Sequence, residues 1–325
     1  MDQENLKKIM ELRHELHANP ELSNEEKETK QRLMGFIKEN TDLQVVDRGR
    51  WFYAAYISPK AEAEPIAFRA DFDALPIQEL CELPYASKVP GVAHKCGHDG
   101  HSAALAGLAL EVARTGADRD VYFIFQHAEE IGAGGEEAAG LIEEKQISSV
   151  YAYHNISGYP EKSIAVREGV SQCASRGLTA VFTGKKSHAS QPEMGRNPAL
   201  AVAQTIQYMY DVLDSDCFEG MVLGTVIHTE VGTRNFGISA GKGEVSMTLR
   251  AVYEKELDIF EAKMRERACE LADRDGLKIE FIVSDPFPET VSHAESVKLL
   301  RSAAEELGLE VIELKEPIRG SEDFG

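Results

Sequence analysis

The stretch PIAFRADFDALPI, residues 65–77, decides how the chain is read. It begins as a short apolar run of strand length and then meets Asp71 and Asp73. Acids at the end of such a run mark the point where a central strand leaves its sheet for a loop. Two later stretches repeat the pattern. DVYFIFQHAEE (120–130) is an aromatic, β-branched strand that ends in Glu129 and Glu130, and VYAYHN (150–155) runs to His154. SAALAGLALEVART (102–115), small and apolar on most faces, predicts a buried helix, and GGEEAAGLIEE predicts another. This alternation predicts an α/β domain with a mixed or parallel sheet flanked by helices. In open sheets of that kind, ligands bind outside the carboxyl ends of the strands. The reactive residues recur at that edge.

Between the first two strands lies AHKCGHDGH (93–101), with three histidines, a cysteine and an aspartate in one bendable stretch. An apolar core could not bury so many polar groups cheaply. Cysteine, histidine and glutamate are the usual ligands of zinc-like ions. Cys96 and His98 are two residues apart, so an extended loop can aim both at one point. In the Glu129–Glu130 pair, one carboxylate can bind a metal while its neighbour handles a proton. Taken singly, each has a plainer reading: His94 as polar surface, Cys96 as an inert buried thiol, the glutamates as a solvated strand end. Three strand ends that all carry ligand types set a metal site level with these plainer readings.

Around this centre, Leu6, Ile9, Leu12 and Leu16 predict an amphipathic helix over 5–18. A second helix is expected over 24–39, capped by Ser23 or Asn24. Near residue 172 the pattern changes. GLTAVFTGKKSHASQP reads as a strand and turn, 197–214 as a helix opened by Pro198, MVLGTVIHTEVG and GEVSMTLRAVY as strands, 254–276 as a long helix, and LKIEFIVSD as a strand. That β-α-β-β-α-β order is the ferredoxin-like split βαβ. The expected organisation is a catalytic domain in two parts, 1–171 and 285–325, with an inserted α+β domain at 172–284. A helix at 294–308 and the strand EVIEL return to the outer domain.

The chain has 325 residues and a net charge of −20, from 35 Lys plus Arg against 55 Asp plus Glu. Such acidity excludes a nucleic-acid surface, which needs basic stripes to neutralise phosphates. The five cysteines are odd in number and scattered, which fits a reducing compartment rather than a disulfide scaffold. The charged N-terminus shows no secretory pattern, and no apolar run reaches membrane-span length. The expectation is a soluble, cytoplasmic protein.

RADFDALPIQE, HKCGHDGH, FQHAEE, KKSHASQP and GSEDFG occur in this order. They resemble the successive signatures of the metal-dependent amidohydrolases that include hippurate hydrolases, N-acyl-amino-acid deacylases and indole-acetyl-amino-acid hydrolases, within the aminoacylase and carboxypeptidase group. The resemblance runs from about residue 10 to the last residue. It implies a catalytic α/β domain with an inserted lid that commonly dimerises, and one or two zinc or manganese ions per subunit. The substrate it implies is a small N-acyl amino acid or peptide. By the same resemblance, Cys96, His98, Glu130 and His154 are metal ligands and Glu129 is the general base. His188, in the lid, binds substrate or stabilises the oxyanion, often in the partner subunit's site. Asn235 falls near a substrate-contacting asparagine, although TRNFG matches imperfectly. Asp73 and Asp99 are expected to orient ligand histidines, with His94 and His101 in supporting roles.

Two departures stand out. Relatives usually carry proline before the alanine of FQHAEE. His127 here is therefore an extra candidate ligand or a charge that shifts local pKa values, with surface or packing use as the plainer reading. Relatives also continue past EDF into a segment with a last histidine ligand, so this chain is expected to offer at most four protein ligands. A second reading follows: a catalytically silent homodimeric binding protein with an incomplete metal centre.

Overall fold

The structure, a computed structural model, describes residues 2–325. They form two units. The first runs to Ser163 and includes Phe324; the second covers Ile164–Asp323 and Gly325.

The first unit opens with α1 (Gln3–Ala18), capped by the Asp2 carboxylate on Asn5 N–H, and α2 (Lys27–Asn40). Strands β1 (Gln44–Asp47), β2 (Phe52–Tyr56) and β3 (Ile66–Asp71) follow, then α3 (His98–Thr115), β4 (Val121–Gln126), α4 (Gly134–Lys145) and β5 (Ser149–Ala152). The sheet order is β1-β2-β4-β3-β5. The pairs β1/β2 and β2/β4 are antiparallel, whereas β3 runs parallel to both β4 and β5. The sheet is therefore mixed.

Period-two alternation sends neighbouring side chains to opposite faces. Phe52, Phe123 and Phe125 turn to one face and pack with Leu12 and Leu16 of α1, Leu33 and Ile37 of α2, and Ala106 and Leu110 of α3. Trp51, Tyr53, Tyr122 and Ile124 turn to the other and meet Ala138 and Leu141 of α4. Helices thus cover both faces and leave the carboxyl ends of β3, β4 and β5 as the chemically open edge. Helix α2 starts later than its sequence predicts, with Glu26 as its first flanking residue. Neither expected cap serves: Ser23 Oγ donates to Asp73, and Asn24 adopts φ 67° and accepts from Arg50.

The second unit contains β6 (Ser163–Val166, which starts at its border), β7 (Gly169–Gln172), β8 (Ala174–Thr183), β9 (Ser187–His188), α5 (Ala199–Leu213), β10 (Val222–Val231), β11 (Ile238–Ser239), β12 (Lys242–Ala251), α6 (Glu254–Asp275), β13 (Lys278–Phe287), β14 (Thr290–Ser292), α7 (Ala294–Glu306) and β15 (Glu310–Glu313). Its main sheet has the order β10-β12-β8-β13, all antiparallel. That is the ferredoxin-like arrangement, with α5 and α6 burying Met209, Leu257, Phe260 and Met264 against Leu178, Phe182 and Met247. Short pairs β7/β14 and β6/β15 tie residues 290–313 to 163–172. Among the described residues, no helix is long and apolar enough to cross a membrane.

The long segment between β3 and α3 is fastened to α1 by a buried ionic network. His17 lies 2.9 Å from Asp99 through Nδ1 and 3.3 Å from Glu79 through Nε2. Glu79 also takes Lys95 Nζ at 2.5 Å and Ser87 N–H at 2.7 Å. Arg13 reaches Asp99 at 3.2 Å. The bond to Asp99 outweighs burial and holds His17 above its usual pKa. Lys95 chiefly holds Glu79 down to about 2, and Asp99 is also held at about 2, burial opposing and His17 prevailing.

Two outcomes are expected. Phe125, fully buried and stacked on Phe52 with centroids 4.6 Å apart, should cost about 3–5 kcal/mol when truncated to alanine, read from denaturant unfolding. The His17 network should stabilise most between roughly pH 5 and 6. A raised histidine contributes fully below its unfolded pKa and loses that contribution as pH rises through its folded one. The lowered carboxylates contribute above their unfolded values and lose it as pH falls toward their folded ones. Melting of His17→Gln should therefore lag the parent most in that window and less at pH 9; a lag that grows from pH 6 to pH 9 would refute the assignment.

Candidate metal centre

The parallel run β4-β3-β5 sets the geometry. Asp71 closes β3 beside Gln126 of β4, and Ala152 of β5 lies beside Arg69. Just past these ends come Asp73, the Glu129–Glu130 turn and His154.

Gly97 separates Cys96 from His98 and adopts φ 107°, a left-handed conformation that favours glycine. A Cβ there would strike the side chain of Asn155. With Gly97 as its cap, α3 starts at His98 rather than at Ser102. His98 and His101, expected on a loop, therefore occupy the first turn of a helix, while His94 and Cys96 stay on the segment before it.

His98 is fully buried. Its Nδ1 lies 3.0 Å from Asp73 Oδ1 and 3.8 Å from Asp71 Oδ1. When the imidazole is neutral, Nδ1–H donated to Asp73 leaves the Nε2 lone pair to face the site. Nε2 has no hydrogen-bond partner, and it faces Glu129 Oε2 at 3.7 Å and Glu130 Oε1 at 3.8 Å. Glu130 Oε1 is likewise buried without a hydrogen-bond partner. These separations exceed a hydrogen bond. They suit donor atoms that each stand about 2 Å from one ion.

A second set shares His98. Cys96, His98 and His154 each offer a donor atom, all within 4.8 Å of one another. Cys96 Sγ lies 3.3 Å from His154 Nε2. His154 Nδ1 donates to Asn155 O at 2.8 Å, which leaves Nε2 for the site. Cysteine, histidine and glutamate together, with orphaned buried donors, fit a divalent cation.

The charges behave accordingly. Burial opposes the charge on His98, but Asp71 and Asp73 hold its pKa well above the usual range. Burial pushes the Glu130 carboxyl up to about 7 and raises the Cys96 thiol. Asp73 also accepts Ser23 Oγ at 2.7 Å and Glu130 N–H at 3.0 Å, so one carboxylate braces two strand ends.

Asp99 does not orient a candidate ligand. Consecutive helical residues point about 100° apart, and Asp99 turns to His17 and Arg13. The carboxylate beside His101 is Asp71, at 2.7 Å, which also pairs with Arg69 at 2.7 Å. His101 Nε2 in turn meets Asn155. Arg69 and Asp71 share one strand face by period two, a signal present in the sequence. His94 and His127 are buried rather than at the surface, and burial lowers each to about 4. His127 lies 3.6 Å from Glu137 and joins no donor cluster among the described residues.

In the second unit, His188 is exposed on β9, opposite Ile238 of β11, with Nδ1 2.7 Å from Ser190 Oγ. Asn235 closes the adjoining exposed turn, its Oδ1 accepting Gly237 N–H at 3.0 Å.

Residues 67–325 match Peptidase family M20/M25/M40. The chain is 30% identical to an N-acetylcysteine deacetylase of Bacillus subtilis over 98% of its own length and 84% of that protein's. It is 28% identical to a hippurate hydrolase of Campylobacter jejuni, over 97% and 83% of the two chains. A solved Bacillus subtilis structure, described as a dinuclear metal binding peptidase from the M20 family, superposes with a TM-score of 0.81 at 28% identity, over 99% of this chain and 85% of that one. Strand ends, donor cluster and these likenesses agree: the chain belongs to peptidase family M20/M25/M40 and is a hydrolase of carbon–nitrogen bonds.

Proposed function

We propose that this protein hydrolyses the amide bond of N-acyl amino acids or small peptides at a centre for one or two divalent ions, zinc or manganese. The observation that carries the reading is the pair of orphaned buried atoms, His98 Nε2 and Glu130 Oε1, facing Glu129 across the strand ends. Relatives named for deacetylating N-acetylcysteine and for hydrolysing hippurate support the substrate class. Cys96, His98, Glu130 and His154 would hold the metal, and Asp73 would fix the tautomer of His98. Thiolate and imidazole favour zinc; the carboxylate also suits manganese. A divalent ion bound there makes water acidic enough to attack near neutral pH.

Glu129 then takes a proton from the attacking water and returns it to the amide nitrogen as the carbon–nitrogen bond breaks. The products are a free carboxylate and a free amine. His188 would donate to the oxygen that gains charge in the transition state, and Asn235 would contact substrate. We assign residues 172–284 as a lid through which two chains pair, and residues 1–171 with 285–325 as the catalytic domain. The five free thiols fit a reducing compartment such as the cytoplasm.

Glu129→Gln should lower kcat on N-acetyl and N-benzoyl amino acids by several powers of ten while metal content stays near that of the parent. Cys96→Ala should lose metal and activity together. Elemental analysis beside a hydrolysis assay reads both, and normal turnover in Glu129→Gln would refute its role as base. An unaltered protein that neither takes up metal nor cleaves these substrates would favour the silent binding protein.

His188→Ala should keep its metal and lose turnover. If sites are shared in a dimer, mixing it with Glu129→Gln should restore part of the activity once subunits exchange. No recovery after confirmed exchange would mean that each site is complete within one chain.

A further inference from the structure

Glu26 is buried, and its side chain does not cap the helix it precedes. Acceptors at that position commonly bind the first free N–H groups of the helix. Here Glu21 takes over, accepting from Thr29 N–H at 2.6 Å and more loosely from Glu28 N–H at 3.3 Å. Glu26 is thereby released to reach a residue 102 positions away: its Oε1 accepts Ala128 N–H at 2.8 Å.

Ala128 is the joint between β4 and the Glu129–Glu130 turn. It is fully buried and stands at φ 50°, ψ 39°, a left-handed conformation that a residue with a Cβ adopts at a cost. The turn is closed on its far side by Ala133 N–H on Ala128 O at 3.1 Å. It also leaves no room at Gly134, where a Cβ would strike His127 O. The backbone direction at Ala128 decides which way the next two side chains point. An extended conformation there would carry Glu129 and Glu130 away from His98. A strained buried residue persists only where its surroundings over-determine it.

We propose that Glu26 is a positioning residue for hydrolysis: its buried carboxylate holds Ala128 N–H and so fixes the left-handed turn that aims Glu129 and Glu130 at His98. The proposal rests on the reading of Glu129 and Glu130 given above. What matters at position 26 is an acceptor oxygen at that reach, not a charge, a proton or contact with substrate.

Two variants of matched length separate these roles. Glu26→Gln keeps an acceptor oxygen; Glu26→Met keeps the length and volume without one. Small misplacements of catalytic groups cost about a hundredfold in rate. Glu26→Met should therefore lose roughly tenfold to a hundredfold in kcat with KM little changed, and Glu26→Gln should recover most of it. Amide exchange followed by mass spectrometry, on protein without substrate, should show faster exchange in the peptide holding Ala128 for Glu26→Met and near-parent exchange for Glu26→Gln.

Parent-like kcat together with parent-like exchange in Glu26→Met would overturn the proposal. So would a Glu26→Gln variant as impaired as Glu26→Met, which would point to the charge. If Glu26→Met does not fold, Glu26→Ala against Glu26→Gln carries the same comparison. The exchange readout does not depend on which residue is the base. Normal turnover in Glu129→Gln would overturn the mechanism, and exchange would still decide whether Glu26 holds the turn.

Discussion

Four carboxylates converge on one buried imidazole. Asp71, Asp73, Glu129 and Glu130 all stand between 3.0 and 3.8 Å from the ring nitrogens of His98. Negative charge at that density, away from water, is costly unless protons or a cation neutralise it. Protons can meet part of that need: Asp71 and Asp73 hold the pKa of His98 well above its ordinary range, and burial raises Glu130 to about 7. A divalent ion would displace those protons, so ion affinity and proton affinity are linked at this centre. The rest of the first unit is arranged to hold this repulsive cluster together.

It does so by dividing the work between elements. The apolar faces of β3 and β4 bury phenylalanines under α1, α2 and α3, which fixes where the strand ends emerge. Asp73 ties His98, Ser23 and the Glu130 backbone to one point. Gly97 starts α3 in the one place that turns His98 inward while leaving Cys96 on the loop. The His17 network secures the segment on the other side of Cys96 through Lys95 and Glu79. Each device has a local cost: a left-handed alanine, orphaned polar atoms, buried ion pairs. Such costs gather where function overrides local preference.

That distribution explains what the sequence disclosed and what it hid. Strand ends were legible because a change from apolar run to acid or histidine is a local pattern, repeated at Asp71, Glu129 and His154. The ferredoxin-like unit was legible because its elements are long and follow in order. The start of α3 was not, because a glycine beside histidines reads as a loop until its backbone sign is known. Ser23 and Asn24 looked like caps, yet their side chains are committed to Asp73 and Arg50, partners far along the chain. Asp99 sits between His98 and His101 in sequence, whereas Asp71 lies on a strand 30 residues before His101. Only the helical turn shows that Asp71 meets His101 and Asp99 meets His17. Short pairs such as β9/β11 carry too few residues for any period to appear.

The same physics links stability to the proposed chemistry. A ligand that binds the folded chain and not the unfolded one stabilises it by mass action. Here the gain would depend on pH, because a cation must displace the protons that otherwise relieve the repulsion, and it would grow as pH rises and those protons leave. The orphaned Nε2 of His98 and Oε1 of Glu130 are therefore not defects of packing. Neutral apolar groups in their place would remove the repulsion and, with it, two buried ligand atoms that stand near Glu129. The first unit thus keeps a locally unfavourable cluster at its strand ends, and it can do so because both sheet faces are covered by helices through apolar side chains that lie outside that cluster.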